Sequence, residues 1–171
     1  MAALSLAEEV ILLSLDDETG RPMGRAGMAP NLALAGALLM DLALARRIDT
    51  DRNRLWVVDD APTWDATLDA ALGVLAAPDA PRDARGAIIL LARDAAEARA
   101  ALIDRMLEAG LLSRIEDKVL WVFRDRRHPK APGHDGAASA RTRLRTLLLD
   151  EEDQIPEPRD ALLLGLARAA R

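Results

Sequence analysis

The sequence predicts a mainly α-helical fold: a single domain built as a helical bundle around one central helix that is apolar on every side, with one or two small β-hairpins. Half of the residues are apolar, yet aromatic side chains make up only 2%, so the core must be aliphatic, which favours helices over sheets. The stretch Leu32–Ala45 carries a single charge, Asp41. A helix without a polar face belongs at the centre of a bundle. A chain of 171 residues is long enough for one domain with a sizeable core, over residues 1–171.

The first helix has a defined start. Ser5 followed by Glu8 is a capping box, in which the Ser side chain accepts from the amide of Glu8 and the Glu side chain reaches back to the cap. The helix is expected to end near Leu15. Its apolar side consists of Leu6, Val10, Ile11 and Leu13.

The second helix is the central one. Asn31 is the expected N-cap, because its short polar side chain can accept from an early amide of the helix. Ala33, Gly36 and Ala37 would allow neighbouring helices to approach closely.

A first hairpin is predicted where residues 47–48 and 55–58 flank the turn-rich residues 49–53. Trp56 in its second strand, and Trp121 in a similar Leu-Trp-Val segment later in the chain, are predicted to be core residues. The helices expected next are 64–76, capped by Thr63, then 82–93, and then 94–109, stopped by Gly110.

A second hairpin is predicted from residues 111–115 and 119–123 around Glu116-Asp117-Lys118. Consecutive apolar residues make both faces of its second strand apolar. They are Val119, Leu120, Trp121, Val122 and Phe123. The domain can cover only one face of a two-stranded ribbon. Either the following basic amphipathic helix, Ala137–Leu149, covers the second face, or another copy of the chain does.

Residues 151–158 are a polar linker before a last helix, residues 159–170. Charge is unevenly spread along the chain. Residues 113–149 contain nine Arg or Lys and four Asp or Glu, a balance of +5, whereas the whole chain carries −5. A basic segment on an acidic body suggests an oriented surface, although a solvated helix and hairpin without an anionic partner would give the same pattern.

Catalytic and metal sites are not indicated. The chain has no Cys, and His128 and His134 lie in a Pro- and Gly-containing loop without an acidic residue at metal-ligand spacing. No serine has a nucleophile-elbow context and no phosphate-binding Gly-rich loop is present. We therefore expect a protein that is not an enzyme and needs no cofactor or metal.

The sequence also shows neither a signal peptide nor a membrane-spanning segment. The N-terminal residues show no basic region followed by an apolar one, as a signal peptide would. The longest apolar run, Leu32–Met40, is less than half of the ~20 residues of a membrane span. The expected location is the cytoplasm, including the cytoplasmic face of a membrane.

Three motifs in the first 65 residues occur in a fixed order. Leu4-Ser5-Leu6-Ala7-Glu8-Glu9-Val10-Ile11-Leu12-Leu13-Ser14-Leu15-Asp16-Asp17 is followed by Ala35-Gly36-Ala37-Leu38-Leu39-Met40-Asp41-Leu42-Ala43-Leu44-Ala45-Arg46-Arg47-Ile48, and then by Asp60-Ala61-Pro62-Thr63. This order resembles the Golgi phosphoprotein 3 family, and the chain looks like a bacterial-type member. Relatives continue for several helices beyond the segment matching residues 161–167. The resemblance therefore implies a short version of the fold, or a last apolar stripe covered by another chain.

The resemblance implies a peripheral membrane protein, because eukaryotic members bind phosphatidylinositol 4-phosphate and tether Golgi enzymes. Their headgroup pocket uses a Trp before the central helix, an Arg within it, and two Arg three apart on the helix matching residues 94–109. Here these positions hold Ala26, Ala35, Ala96 and Arg99. Arg25 lies beside the Trp position and is our own addition. We expect weak binding of anionic phospholipid headgroups through Arg99 and Arg25.

The resemblance also implies self-association, because relatives contact a neighbouring protomer through the hairpin at residues 112–123. A homo-oligomer formed by this hairpin is one expectation; a hairpin covered by its own following helix is the equal alternative.

A winged-helix nucleic-acid-binding protein is the alternative function. Residues 94–109, then Gly110-Leu111-Leu112 and a hairpin, fit that motif, and its arginines would be Arg114, Arg124, Arg126 and Arg127. The candidate recognition helix, however, carries four acidic residues that would repel a duplex, and only Arg99 and Arg105 could reach DNA from it. We expect no nucleic-acid partner.

Overall fold

The computed structural model describes residues 4–16, 19–23, 27–113, 115–119, 123–127, 129, 136–149 and 157–169. Within these ranges the chain forms seven helices and two antiparallel hairpins, so the fold is mainly helical, as predicted. In chain order the elements are α1 (Leu6–Leu13), α2 (Ala29–Leu44), β1 (Ile48–Thr50), β2 (Leu55–Val57), α3 (Ala66–Ala76), α4 (Ala84–Leu91), α5 (Ala95–Glu108), β3 (Ile115–Val119), β4 (Phe123–Arg127), α6 (Gly136–Leu149) and α7 (Pro158–Ala169).

Helix α1 begins with the predicted capping box. The Glu8 amide donates to Ser5 Oγ at 3.1 Å, and the Ser5 amide donates to Glu8 Oε2 at 2.8 Å. Two amides that no carbonyl of the helix could satisfy are thereby paired. Leu6 and Ile11 are fully buried on the inner side of this helix.

Helix α2 starts two residues before the predicted N-cap, so the role assigned to Asn31 was wrong. Met28 occupies the cap position without a side-chain cap bond, and Pro30 lies in the first turn. Proline is well suited there because its missing N–H would have had no partner inside the helix. Asn31 is therefore an ordinary residue of the first turn.

Helix α2 is the central element, because it contributes to both apolar clusters of the interior. Leu34 and Leu38 pack with residues of α1, α5, α6 and α7, whereas Leu39 and Leu42 pack with α3, α4 and the first hairpin. A Cβ atom built on Gly36 would lie 2.9 Å from Leu166 Cδ2 of α7. The absence of a side chain at Gly36 thus lets α7 sit directly on α2.

The first hairpin is confirmed, but Trp56 is not a core residue. Asp49 pairs with Trp56, and Ile48 with Val57. Since side chains alternate along a strand, the inner face carries the buried Ile48 and Leu55, and Trp56 falls on the other face, where it is 39% exposed.

The N-cap of α3 also differs from the predicted one. Asp65, and not Thr63, caps the helix, because its carboxylate accepts from the amides of Thr67 and Leu68 at 2.9 and 3.2 Å. Thr63 instead donates its amide and hydroxyl to Asp69 Oδ1, both at 2.6 Å. Trp64 lies before the helix with a left-handed φ of 67° and is 94% exposed. The remaining helices begin and end within two residues of their predicted bounds.

The second hairpin lies further along the chain than predicted. Ile115 pairs with Arg127 and Val119 with Phe123, so Glu116-Asp117-Lys118 belongs to β3 and is not the turn. Leu111 and Leu112 are not strand residues, because their amides donate to the Met106 carbonyl and close the end of α5 around Gly110. Leu120, Trp121 and Val122 come between the paired ends of the strands and lie outside the described residues.

In the described part of the chain, the apolar side of α7 packs against the other helices. Leu163 and Leu166 are buried in the cluster formed with α1, α2, α5 and α6. None of the described helices combines the length and hydropathy needed to cross a bilayer.

Candidate functional site

Arg99 is the predicted site residue that the structure places. It lies on α5, is half-buried, and donates from Nη2 to the Pro30 carbonyl in the first turn of α2 at 3.4 Å. Burial lowers the pKa of its guanidinium from the ordinary value, although an arginine remains charged at neutral pH. Among the described residues, no carboxylate lies within ion-pair distance of Arg99. Within the described part of the chain, this partly desolvated positive charge is therefore held by a backbone oxygen alone.

The start of α2 also exposes apolar side chains. Met28 and Leu32 flank Pro30 in sequence and are 57% and 36% exposed, and Met23 in the preceding segment is exposed as well. Exposed apolar side chains within two residues of the carbonyl that accepts from Arg99 suit a surface that is charged outside and apolar beneath, as the interfacial region of a bilayer is.

The other positions of the predicted site are not equivalent to Arg99. Ala35 is fully buried in the cluster between α2, α3 and α4, so it cannot face a ligand. Ala96 is exposed on the first turn of α5. Arg25 and Ala26 lie outside the described residues. Arg99 is thus the one predicted headgroup residue that the structure positions.

Several other arginines of the described region are neutralised by carboxylates. Arg105 of α5 donates from Nε to Glu8 Oε1 at 3.1 Å and from Nη1 to Asp65 Oδ2 at 2.5 Å. Burial by itself would lower the pKa of Arg105, but hydrogen bonds and attraction from Asp65 and Glu8 outweigh it, so this pKa is raised. Arg105 therefore joins α5 to α1 and to the cap of α3.

Glu9 collects two more arginines. Its carboxylate is 5% exposed and accepts from Arg143 of α6 at 2.6 Å and from Arg159 of α7 at 2.9 Å. Arg143 also pairs with Asp160 at 2.9 Å, and Arg159 donates to the Leu4 carbonyl. Adjacent glutamates of α1 thus hold three helices: Glu8 holds α5, and Glu9 holds α6 and α7.

Asp41, the single charge of α2, is buried and caps α1 from a distance. Its two carboxylate oxygens accept from the amides of Leu6 and Ala7 at 2.9 and 3.0 Å. A negative charge at a helix N-terminus is stabilising. Desolvation nevertheless raises the pKa of Asp41, and the bonds from Ala7 and Leu6 offset it only in part.

Arg47 closes the loop that follows the first hairpin. Its guanidinium pairs with Asp59 and donates to the Pro62 carbonyl at 3.1 Å. Together with the Thr63–Asp69 contacts, this fixes the Asp60-Ala61-Pro62-Thr63 segment against the ends of α2 and α3.

The structure leaves a winged helix with one arginine fewer for contacting DNA from α5. Arg105, one of two arginines that could face DNA from α5, is engaged by Glu8 and Asp65. Arg114 lies outside the described residues, as do the side chains of Arg124, Arg126 and Arg127. Within the described part of the chain, no group of three or more His, Cys, Asp or Glu is placed to hold a metal ion.

Together, the central apolar α2, the acidic pair of α1 and the pinned loop after the first hairpin define a helical domain whose signature residues serve mainly as structural contacts. The family model for Golgi phosphoprotein 3 (GPP34) matches residues 6–171, nearly the whole chain. The chain belongs to this family. A search of curated proteins found no match.

The ion-pair partners of Glu8 and Glu9 do not follow from the sequence prediction, in which Glu8 is only a cap and Glu9 has no role. A usable signal was the acidic pair itself. Two adjacent glutamates inside an apolar helix will be partly buried, and buried carboxylates need partners.

Proposed function

We propose that this protein is a non-enzymatic peripheral binding protein that takes anionic phospholipid headgroups at the start of α2, with Arg99 as the phosphate-contacting cation. The observation that carries the proposal is that Arg99 has no carboxylate partner among the described residues, in contrast to Arg47, Arg105, Arg143 and Arg159. A charge that needs a counter-ion is what an anionic ligand supplies.

The apolar side chains at the same end of α2 support a membrane source for the anion. Met28 and Leu32 are exposed within two residues of the carbonyl that holds Arg99, so docking this end of α2 on a membrane would bring apolar side chains to the lipid surface. A free phosphate would gain nothing from them. The phosphatidylinositol 4-phosphate of the eukaryotic relatives is the first headgroup to try.

We expect the affinity to be weak. One arginine near an anionic surface contributes about 1 kcal/mol, and the family's other cation positions are Ala35 and Ala96 here. Strong selectivity among phosphoinositides requires several fixed donors around one phosphate. Anionic charge, more than headgroup identity, should therefore decide binding.

Co-sedimentation with liposomes tests the proposal, using neutral vesicles, vesicles with anionic lipid, and vesicles with phosphatidylinositol 4-phosphate, each at low and at high salt. Pelleting should rise with anionic lipid and fall with salt, because the contact is electrostatic. Arg99→Glu should reduce it several-fold. Arg93→Glu is the matched control, since Arg93 is exposed just before α5 and makes the same charge change.

Equal pelleting with neutral and anionic vesicles, or none with either, would refute the proposal. So would equal losses in Arg99→Glu and Arg93→Glu, since these would reflect net charge alone. Gel retardation with duplex DNA tests the alternative: we expect no shift at micromolar protein, whereas a competitor-resistant shift would favour a nucleic-acid-binding protein.

A further inference from the structure

A cavity of about 330 Å³, open to solvent, lies between α3 and α5. Its walls are mainly alanines, Ala66 and Ala70 of α3 and Ala98 and Ala101 of α5, with Leu38 of α2 and Leu91 of α4 among the lining residues. Both leucines are buried. The space corresponds to about eleven water molecules, within the lower range of small-molecule sites.

The alanines explain why the space stays open. Residues three or four apart lie on one face of a helix, and each of these two helices turns short side chains toward the cavity at that spacing. The two helices are joined through Arg105 and Asp65, the cap of α3. Short side chains therefore leave room between backbones that are fixed elsewhere.

Among the described residues, the charged groups that line the cavity are both acidic: they are Asp94 and Glu97, exposed at the start of α5. Neither carboxylate has a hydrogen-bond or ion-pair partner in the part of the chain that the structure describes. Asp94 occupies the cap position of α5, yet its side chain makes no cap bond and both oxygens remain available.

Nearby arginines do not neutralise these carboxylates. Arg93 lines a different groove, between α3 and α4. Arg99 donates to the Pro30 carbonyl, and Arg105 is engaged by Glu8 and Asp65. Arg105 also lies eight residues beyond Glu97, which is about 12 Å along the helix axis.

We propose that this cavity binds a small amphiphilic organic cation, with its ammonium group on Asp94 and Glu97 and its apolar body against the alanines, Leu38 and Leu91. An anion would be repelled by both carboxylates. A neutral apolar molecule would gain nothing from the two carboxylates, which are exposed to water. The site is opposite in charge to the surface at Arg99 and does not depend on it.

Amide-resolved NMR titration of the full chain with octylammonium tests this, with octanol and octanoate as ligands of matched length. Octylammonium should shift the amides of Ala70, Ala98 and Ala101, and should bind about tenfold more tightly than octanoate because two carboxylates contribute. Asp94→Asn and Glu97→Gln should each weaken octylammonium about two- to fivefold. The double variant should bind octylammonium no better than octanol.

Glu108→Gln is the matched control, since Glu108 is an exposed acid of the same helix outside the cavity and should leave binding unchanged. Ala101→Leu narrows the space and should weaken binding; Ala70→Leu does so from the other wall, in case either variant folds poorly. The proposal is overturned if octanoate or octanol binds as tightly as octylammonium, if the shifts map outside α3 and α5, or if Glu108→Gln matches Glu97→Gln.

Discussion

The two ends of α2 carry charge in opposite ways. At the C-terminal end, Asp41 is buried with both oxygens satisfied by the amides of Leu6 and Ala7. At the N-terminal end, Arg99 is half-buried against the Pro30 carbonyl and has no carboxylate partner among the described residues. A satisfied buried charge fixes one arrangement of helices, whereas an unsatisfied one leaves capacity for a ligand.

The same contrast separates the acidic pair of α1 from the acidic pair of α5. Glu8 and Glu9 are buried and hold Arg105, Arg143 and Arg159. Asp94 and Glu97 are exposed and line an open cavity. The buried pair therefore joins helices, whereas the exposed pair is open to solvent. The family motif contains only the buried pair.

The largest effect is expected from Glu9→Ala. It would remove the buried carboxylate that joins α1 to α6 and α7, leaving Arg143 with Asp160 and Arg159 with the Leu4 carbonyl, and should lower the free energy of unfolding by about 2 kcal/mol. Urea unfolding followed by circular dichroism measures it. Glu108→Ala, at an exposed acid, should change stability by less than about 0.5 kcal/mol. Similar losses of stability in Glu9→Ala and Glu108→Ala would contradict a structural role for the ion pairs of Glu9.

An intermediate effect on stability is expected from a change of pH, through the ionisation of Asp41. Its folded-state pKa is raised, so the folded state binds a proton more readily than the unfolded state does. Stability contributed by Asp41 is thus greatest below the unfolded pKa of about 3.9 and is lost as pH rises through the raised folded pKa. The loss amounts to about 1.4 kcal/mol for each pH unit that separates the folded-state pKa from the unfolded-state pKa.

The comparison with Asp41→Asn isolates this contribution, because Asn does not titrate. The difference in unfolding free energy, native chain minus variant, should fall as pH rises from about 3.5 to 7. A difference that is flat or grows with pH would mean that the two amide bonds outweigh desolvation.

The smallest effect on stability is expected from substitutions in the second hairpin, which the sequence predicts to contact either a second copy of the chain or its own following helix. Leu120→Asp, Trp121→Asp and Val122→Asp should abolish a concentration-dependent increase in mass measured by light scattering, with little change in unfolding. A native chain that stays monomeric at every concentration would contradict self-association through this hairpin.

Local patterns in the sequence were sufficient for much of the fold. The Ser5–Glu8 capping box, the near-absence of charge in α2 and the stop at Gly110 each act within a short stretch of chain, so they could be recognised directly. The errors were also local. Pro30 moved the start of α2 ahead of Asn31, and Asp65 was a better cap than Thr63.

For the candidate site, the sequence by itself determined the family and indicated Arg99 as a candidate residue. It did not determine that Arg99 lacks a carboxylate partner among the described residues, that Arg105 is already paired, or that Asp94 and Glu97 border a cavity. Glu9 meets Arg143 and Arg159 across 134 and 150 residues of chain. Only the tertiary structure could decide these points, because a charge is paired or free according to which side chains packing brings within 4 Å. No helical or strand period encodes that distance.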